Sequence, residues 1–152
     1  MTVVTTHGSA SVKALRALSL VMVLSCGAAA LGGCNSSTDF FTDAYLVNQA
    51  RASVGARPLG WSPALATKAT DWAEHLAAMG TLSHSNLPAG APAGWQELGE
   101  NVGYARTVTE VHTGFLDSPE HRQNMLNPKW RVMGIGAVRA GGQVWVVEEY
   151  EY

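Results

Sequence analysis

Twice in this chain a serine is followed by a proline at the head of a helical run: Ser62-Pro63 and Ser118-Pro119. Serine suits the N-cap, where its side-chain oxygen takes a backbone N–H that the first turn leaves unpaired. Proline suits the next position, which needs no N–H and has the φ that proline already holds. Each pair therefore fixes a helix start. After Ser62, the residues Leu65, Ala66, Ala69, Trp72, Ala73, Leu76 and Met79 recur at i, i+3, i+4 spacing, and Gly80 supplies a stop. His75 lies off that stripe beside Glu74, as a solvated residue. An earlier helix is expected from Thr38 or Asp39, carrying Phe41, Tyr45 and Leu46 and ending at Gly55 before Pro58. Thr107, with Glu110 three residues later, forms a capping box ahead of Val111, Phe115 and Leu116. Residues 86–96, with Pro88, Gly90, Pro92 and Gly94, read as a surface loop, and residues 97–104 as a short strand. Residues 132–138 and 144–150 are β-rich runs joined by Arg139-Ala140-Gly141-Gly142-Gln143, a hairpin connection. Helices first and antiparallel strands last predict an α+β layered domain.

The beginning of the chain has a different character. Lys13 and Arg16 precede an apolar run over residues 17–24, and small residues then lead to Leu31-Gly32-Gly33-Cys34. The run is too short and too interrupted for a membrane span, and it reads as an export signal. Its end resembles a bacterial lipobox. That resemblance implies cleavage between Gly33 and Cys34 and acylation of Cys34, whose acyl chains would bind a bilayer with about 0.8 kcal/mol per buried methylene. Val23-Leu24-Ser25-Cys26 is a weaker version of the pattern, and cleavage there truncates the apolar run. A Cys26–Cys34 disulfide, or two inert thiols, is the plain alternative. The expected organisation is a signal peptide over residues 1–33, a tether over 34–38 with lipidated Cys34, and one domain over 39–152. Its place is the outer side of the cell membrane. Both cysteines of the chain precede the domain, so no disulfide framework holds it.

Composition narrows the function classes. A content of 47% hydrophobic and 14% charged residues in 152 implies one packed domain. A net charge of −2 with no Lys/Arg cluster leaves no footprint for nucleic acid, which is not an expected partner.

The second Ser-Pro pair opens Ser118-Pro119-Glu120-His121-Arg122-Gln123-Asn124-Met125-Leu126 and sets His121 in the first helical turn. The positive end of the helix dipole disfavours imidazolium there, so His121 is expected neutral, able to ligate a metal or to hydrogen-bond a carboxylate. A solvent-facing histidine is the simpler reading of His121 alone.

It belongs to a longer series. Leu46-Val47-Asn48-Gln49-Ala50-Arg51, Pro58-Leu59-Gly60-Trp61-Ser62-Pro63-Ala64-Leu65, Leu82-Ser83-His84-Ser85, Gly99-Glu100-Asn101-Val102, the Ser118 stretch and Val132-Met133-Gly134-Ile135-Gly136 follow one another over nearly all of residues 39–151. In this order they resemble the CAP superfamily, or SCP/TAPS domain, in its bacterial form. The resemblance implies a three-layer α–β–α sandwich with a small antiparallel sheet and a cleft across one face. In that family two His and two Glu line the cleft and can hold a divalent cation, often Zn²⁺. Carried over by motif, His84, Glu100 and His121 fill three of these places. The fourth acid follows a Trp-x-x-Glu pattern, where this chain has Phe115-Leu116-Asp117-Ser118.

Two imidazoles and one carboxylate suit Zn²⁺, with water at the fourth corner. An open corner serves a hydrolytic site and is equally a mark of a weak or structural one. Without metal, Glu100 hydrogen-bonds both imidazoles. There is no His-Glu-x-x-His helix and no Gly-x-Ser-x-Gly elbow. Three functions stay open: a tethered domain binding a lipid, glycan or protein at the cleft; a metal-dependent hydrolase of envelope peptide or glycan, with Glu100 as general base and His84 and His121 as ligands; and a noncatalytic structural module. Among the remaining motif residues, Asn101 is expected to tie loop backbone, and Arg122 and Asn124 to anchor their helix. Gly134 and Gly136 alternate in a strand, where missing side chains point to close approach by another layer. Trp72, Trp130 and Trp145 are expected in the core. The acidic run Glu148-Glu149-Tyr150-Glu151 reads as an edge-strand solubility device.

Overall fold

Helices start at both Ser-Pro sites and after Thr107. A computed structural model of the chain describes the backbone at residues 34–35 and 37, and the whole of residues 38–152. The expected leader, with Cys26 and the side chain of Cys34, lies outside the described residues. The elements are β1 (Cys34–Asn35), α1 (Ser37–Ser53), β2 (Gly60–Trp61), α2 (Pro63–Met79), β3 (Leu98–Ala105), α3 (Val108–Asp117), α4 (Pro119–Met125), β4 (Val132–Ala140) and β5 (Gln143–Glu151). Ser62 caps α2 by accepting from the Leu65 N–H at 3.4 Å, and Gly80 closes it at φ 66°. Thr107 and Glu110 complete the capping box of α3. Ser118 ends α3 through its N–H to the Gly114 carbonyl and starts α4 in the same step. Its hydroxyl makes no cap bond there, so extended backbone and Pro119 suffice.

The sheet runs β1-β4-β5-β3, with β2 added parallel to β4. β4 and β5 form a hairpin from Val132↔Glu151 to Ala140↔Gln143, turned at Gly141 and Gly142, both with positive φ as a primed turn demands. β3 pairs along the other side of β5, from Leu98↔Glu151 to Ala105↔Val144. α2 packs on one face of the sheet against β4 and β5, while α1, α3 and α4 cover the other. The result is the expected α–β–α sandwich. One cluster, with Ala69, Ala73, Leu76, Val102, Val138, Trp145 and Val147, fills the α2 side. A larger one around Val47, Val111, Phe115, Met125, Trp130, Ile135 and Val146 fills the other.

Three expectations about placement change. The acidic run is not on an edge: β5 lies between β4 and β3, and Glu148 and Glu149 are fully buried, one on each face. Charge pattern alone said nothing of strand order. The helix α1 buries Asp39, Asp43, Val47 and Arg51, while Phe41 and Tyr45 are 63% exposed. Asp39 and Arg51 go inward because partners await them there. Asp39 accepts from Arg139 Nε at 2.7 Å and Nη2 at 2.9 Å, and Arg51 donates to the carbonyls of Arg57, Met125 and Asn127. Residues 34–35, expected within the tether, pair antiparallel with β4 opposite Arg139 and Val138. Among the described residues no helix is long and apolar enough to cross a membrane.

Candidate functional site

His84 sits in the loop that follows Gly80, on a short segment held from two sides. From α2, the Trp72 indole donates to the Ser83 carbonyl at 3.0 Å and the Lys68 ammonium to the Ser85 hydroxyl at 2.7 Å. From β3, one oxygen of Glu100 accepts the Ser85 N–H at 2.9 Å and meets His84 Nδ1 at 2.7 Å. The Glu100 side chain is 1% exposed and that of His84 46%, so the imidazole is the face this pair shows to solvent. Burial works to raise the Glu100 carboxyl, but the hydrogen bonds from His84 and Ser85 outweigh it and hold the group below its usual range. The same Glu100 contact raises His84.

Behind Glu100 stands Glu149, its cross-strand partner in the β3–β5 register. The Lys68 ammonium contacts Glu149 and thus bridges that buried carboxyl to Ser85. Burial first, then neighbouring Glu100, pushes Glu149 up to about 8 against the pull of Lys68.

His121 comes from the opposite layer. Its ring is half-buried and tilted against Phe115 at 5.0 Å between centroids. Burial and the nearby His84 lower its pKa, with Glu120 opposing. The expected neutral imidazole thus has a cause besides the helix dipole. Asn101 donates to the His121 carbonyl at 3.2 Å and to Glu148 at 2.8 Å, and accepts from Asn124 at 3.1 Å. It ties helix backbone rather than loop backbone, pinning α4 to β3.

The structure thus joins His84 directly to Glu100 and sets His121 within electrostatic reach of His84. As they stand, the three do not form a closed ligand set. The described residues do contain three His/Asp/Glu ligand atoms lying within 4.8 Å of one another, but they belong to Asp43, His112 and Glu148. His84 Nδ1 is already committed to Glu100. Ser118 is the C-cap of α3, and Asp117 is exposed at the end of that helix.

Beside the His84 segment, α2 and the following loop enclose a groove of about 500 Å³. Lys68, Asp71, Ser85 and Asn86 line it together with Trp72 and His75, whose rings stack at 4.6 Å and 19°. Trp72 is therefore half core and half groove wall, and His75 is a platform as well as a surface residue. Lys68, Ser85 and Glu149 escaped the sequence reading. Lys68 had a signal: a cation at i+3 from Leu65 on an otherwise apolar stripe. Glu149 had one too, because adjacent acids in a strand must face opposite sides.

A profile of the cysteine-rich secretory protein family, CAP, matches residues 44–150. No curated protein matches the chain in sequence. The fold is similar to that of an outer surface protein from Borrelia burgdorferi, at TM-score 0.70 and 16% identity over 78% of this chain and 97% of that one. It is also similar to a cysteine-rich secretory protein from Staphylococcus aureus, at TM-score 0.65 and 22% identity over 78% and 39% of the respective chains. NaASP2, solved with Zn²⁺, gives TM-score 0.62 at 13% identity over 79% and 82%.

Proposed function

The chain belongs to the cysteine-rich secretory protein (CAP) family, and from that premise we propose an exported domain, tethered by a lipid on Cys34, that binds an envelope glycan in the groove beside His84. The observation that carries this reading is the groove's make-up. A stacked Trp72–His75 face adjoins Lys68, Asp71, Ser85 and Asn86, which supply donors and acceptors together. A sugar ring offers the same pairing, an apolar C–H face rimmed by hydroxyls, and the volume suits a ligand of a few rings. The four contacts holding residues 83–85 set His84 and Ser85 before ligand arrives, so little ordering entropy is lost on binding.

Binding is favoured over hydrolysis because Glu100, the expected general base, lies under His84 and Ser85 with almost no exposure. A divalent cation at His84, Glu100 and His121 requires these side chains to rearrange, and the binding reading needs no such ion. Export to the cell surface accords with neighbours described as outer-surface and extracellular proteins. Anchoring through Cys34 accords with the aromatic exposure of Phe41, Tyr45 and Trp61 near the start of the domain, the residue types that favour a membrane interface.

Two experiments test the two halves. Titration of a chito-oligosaccharide series into the full chain is expected to quench tryptophan fluorescence saturably, and Trp72→Ala or His84→Ala to abolish the response with far-UV dichroism unchanged. A flat titration of folded wild type refutes the glycan reading. Cys34→Ala is expected to release the protein from the membrane fraction. Retention of that variant, with release by Cys26→Ala, moves the anchor to Cys26.

A further inference from the structure

On the sheet face away from the groove, α1, α3 and β5 bring Asp43, His112 and Glu148 together at 0%, 6% and 0% exposure. One ligand atom from each lies within 4.8 Å of the other two, and His112 Nδ1 stands 3.6 Å from Asp43 Oδ1. Both Asp43 oxygens, His112 Nδ1 and Glu148 Oε1 are buried without a hydrogen-bond partner. Unpaired buried carboxylate oxygens are rare, because each has lost its water and gained nothing. The other Glu148 oxygen is fully engaged, by the Tyr150 hydroxyl at 2.6 Å and Asn101 Nδ2 at 2.8 Å. Those contacts orient Glu148 as outer-shell partners orient a ligating carboxylate, with Oε1 left open.

We propose that Asp43, His112 and Glu148 hold a divalent cation, Zn²⁺ by donor chemistry, which staples α1 and α3 to β5. Two carboxylates cancel the charge of a divalent ion, so the buried site becomes neutral with a neutral imidazole. One nitrogen and two carboxylate oxygens form a ligand set that zinc accepts, and a water enclosed on folding would complete four-coordination. Bonds of about 2.0–2.1 Å in a tetrahedron separate ligand atoms by roughly 3.3 Å, near the 3.6 Å already present. The site is closed to solvent, which marks a structural ion loaded during folding rather than a catalytic one. It also answers a need. The only cysteines of the chain are Cys26 and Cys34, so residues 38–152 have no disulfide available, and a small domain gains most from one buried crosslink.

The test is the metal content and melting of the full chain, purified without added metal and then refolded with one equivalent of Zn²⁺. About one bound equivalent is expected, with a melting temperature that falls by about 10 °C or more after refolding in chelator. Asp43→Asn and His112→Gln are each expected to lose the ion and the chelator effect, while His84→Ala keeps both. Co²⁺ in wild type is expected to give the intense visible bands of a tetrahedral site, a readout independent of any variant. Less than about a tenth of an equivalent in folded wild type, with chelator-insensitive melting, overturns the proposal and leaves a proton shared between the two carboxyls. Ion loss in His84→Ala but not in Asp43→Asn overturns it in favour of the cleft.

Discussion

Gly136→Ala is expected to be among the most damaging single-methyl additions available to this fold. A Cβ at Gly136 would lie 2.3 Å from the Ala69 carbonyl carbon and 2.4 Å from both Ala69 O and Thr70 N. All three are backbone atoms of α2, which cannot swing aside as a side chain can. Ordinary contact begins at 3.4 Å, so the helix must withdraw by about 1 Å. That withdrawal thins the packing of Ala69, Ala73 and Leu76 on Val138, Trp145 and Val147, and a gap of about 0.5–1 Å forfeits roughly a quarter to a half of each contact. Overpacking costs about 1–3 kcal/mol in general, and backbone obstruction puts this case at about 3 kcal/mol, or roughly 10 °C in Tm. Gly114→Ala is the control. It adds the same methyl to the exposed side of α3, where nothing lies within 4 Å, and is expected to stabilise by about 0.5–1 kcal/mol. Urea denaturation of both variants measures the contrast. If Gly136→Ala falls within about 0.5 kcal/mol of wild type, α2 does not rest on the β4 backbone.

The His84–Glu100 pair carries a pH signature. His84 is raised above its ordinary 6.5, so its contribution is present below that value and fades as pH climbs through the raised one; Glu100 is lowered, so its share fades only in acid. The stability difference between wild type and His84→Ala is therefore expected to be largest near about pH 5.5 and to shrink by about pH 8.5, staying under about 1 kcal/mol because His84 is half exposed. Equal differences at both pH values contradict the pairing. Arg51→Met strips hydrogen bonds from three carbonyls, two at the end of α4 and one in the loop after α1, and is expected to cost about 3 kcal/mol or more, with Arg51→Lys a poor rescue because it lacks the fork. Denaturation of the two variants checks it, and a wild-type midpoint for Arg51→Lys removes the geometric argument.

Local chemistry was legible wherever its consequence was local. Ser62-Pro63, the Thr107–Glu110 box and the Gly141-Gly142 turn all do what their residue types require, and Ser118-Pro119 starts its helix without the side-chain cap. Gly134 and Gly136 even announced the layer that presses on them. What could not be read was strand order, because β3 pairs with β5 across the whole of α3, α4 and β4. Without that order, Glu148 and Glu149 look like edge acids rather than core ones. The inward face of α1 was missed for a related reason. Phe41 and Tyr45 are the apolar residues at helical spacing, but Asp39 and Arg51 turn inward to partners far away in sequence, and Asp43 turns inward beside His112. His84 and Glu100 were visible through the family's motifs. Their support by Lys68, Trp72 and Glu149 was not, since it depends on how closely α2 sits on the sheet.

The glycan binding proposed above uses the groove that Lys68, Trp72, His75 and Ser85 line beside the His84 segment. Its most direct test is NMR of the isotopically labelled protein during addition of a chito-oligosaccharide. Saturable shifts are expected at the Trp72 indole N–H, the His75 and His84 rings and the Ser85 amide, with the Trp145 indole of the buried core unmoved. Saturable binding that shifts none of those groove resonances, or no shift anywhere in the folded protein, contradicts it.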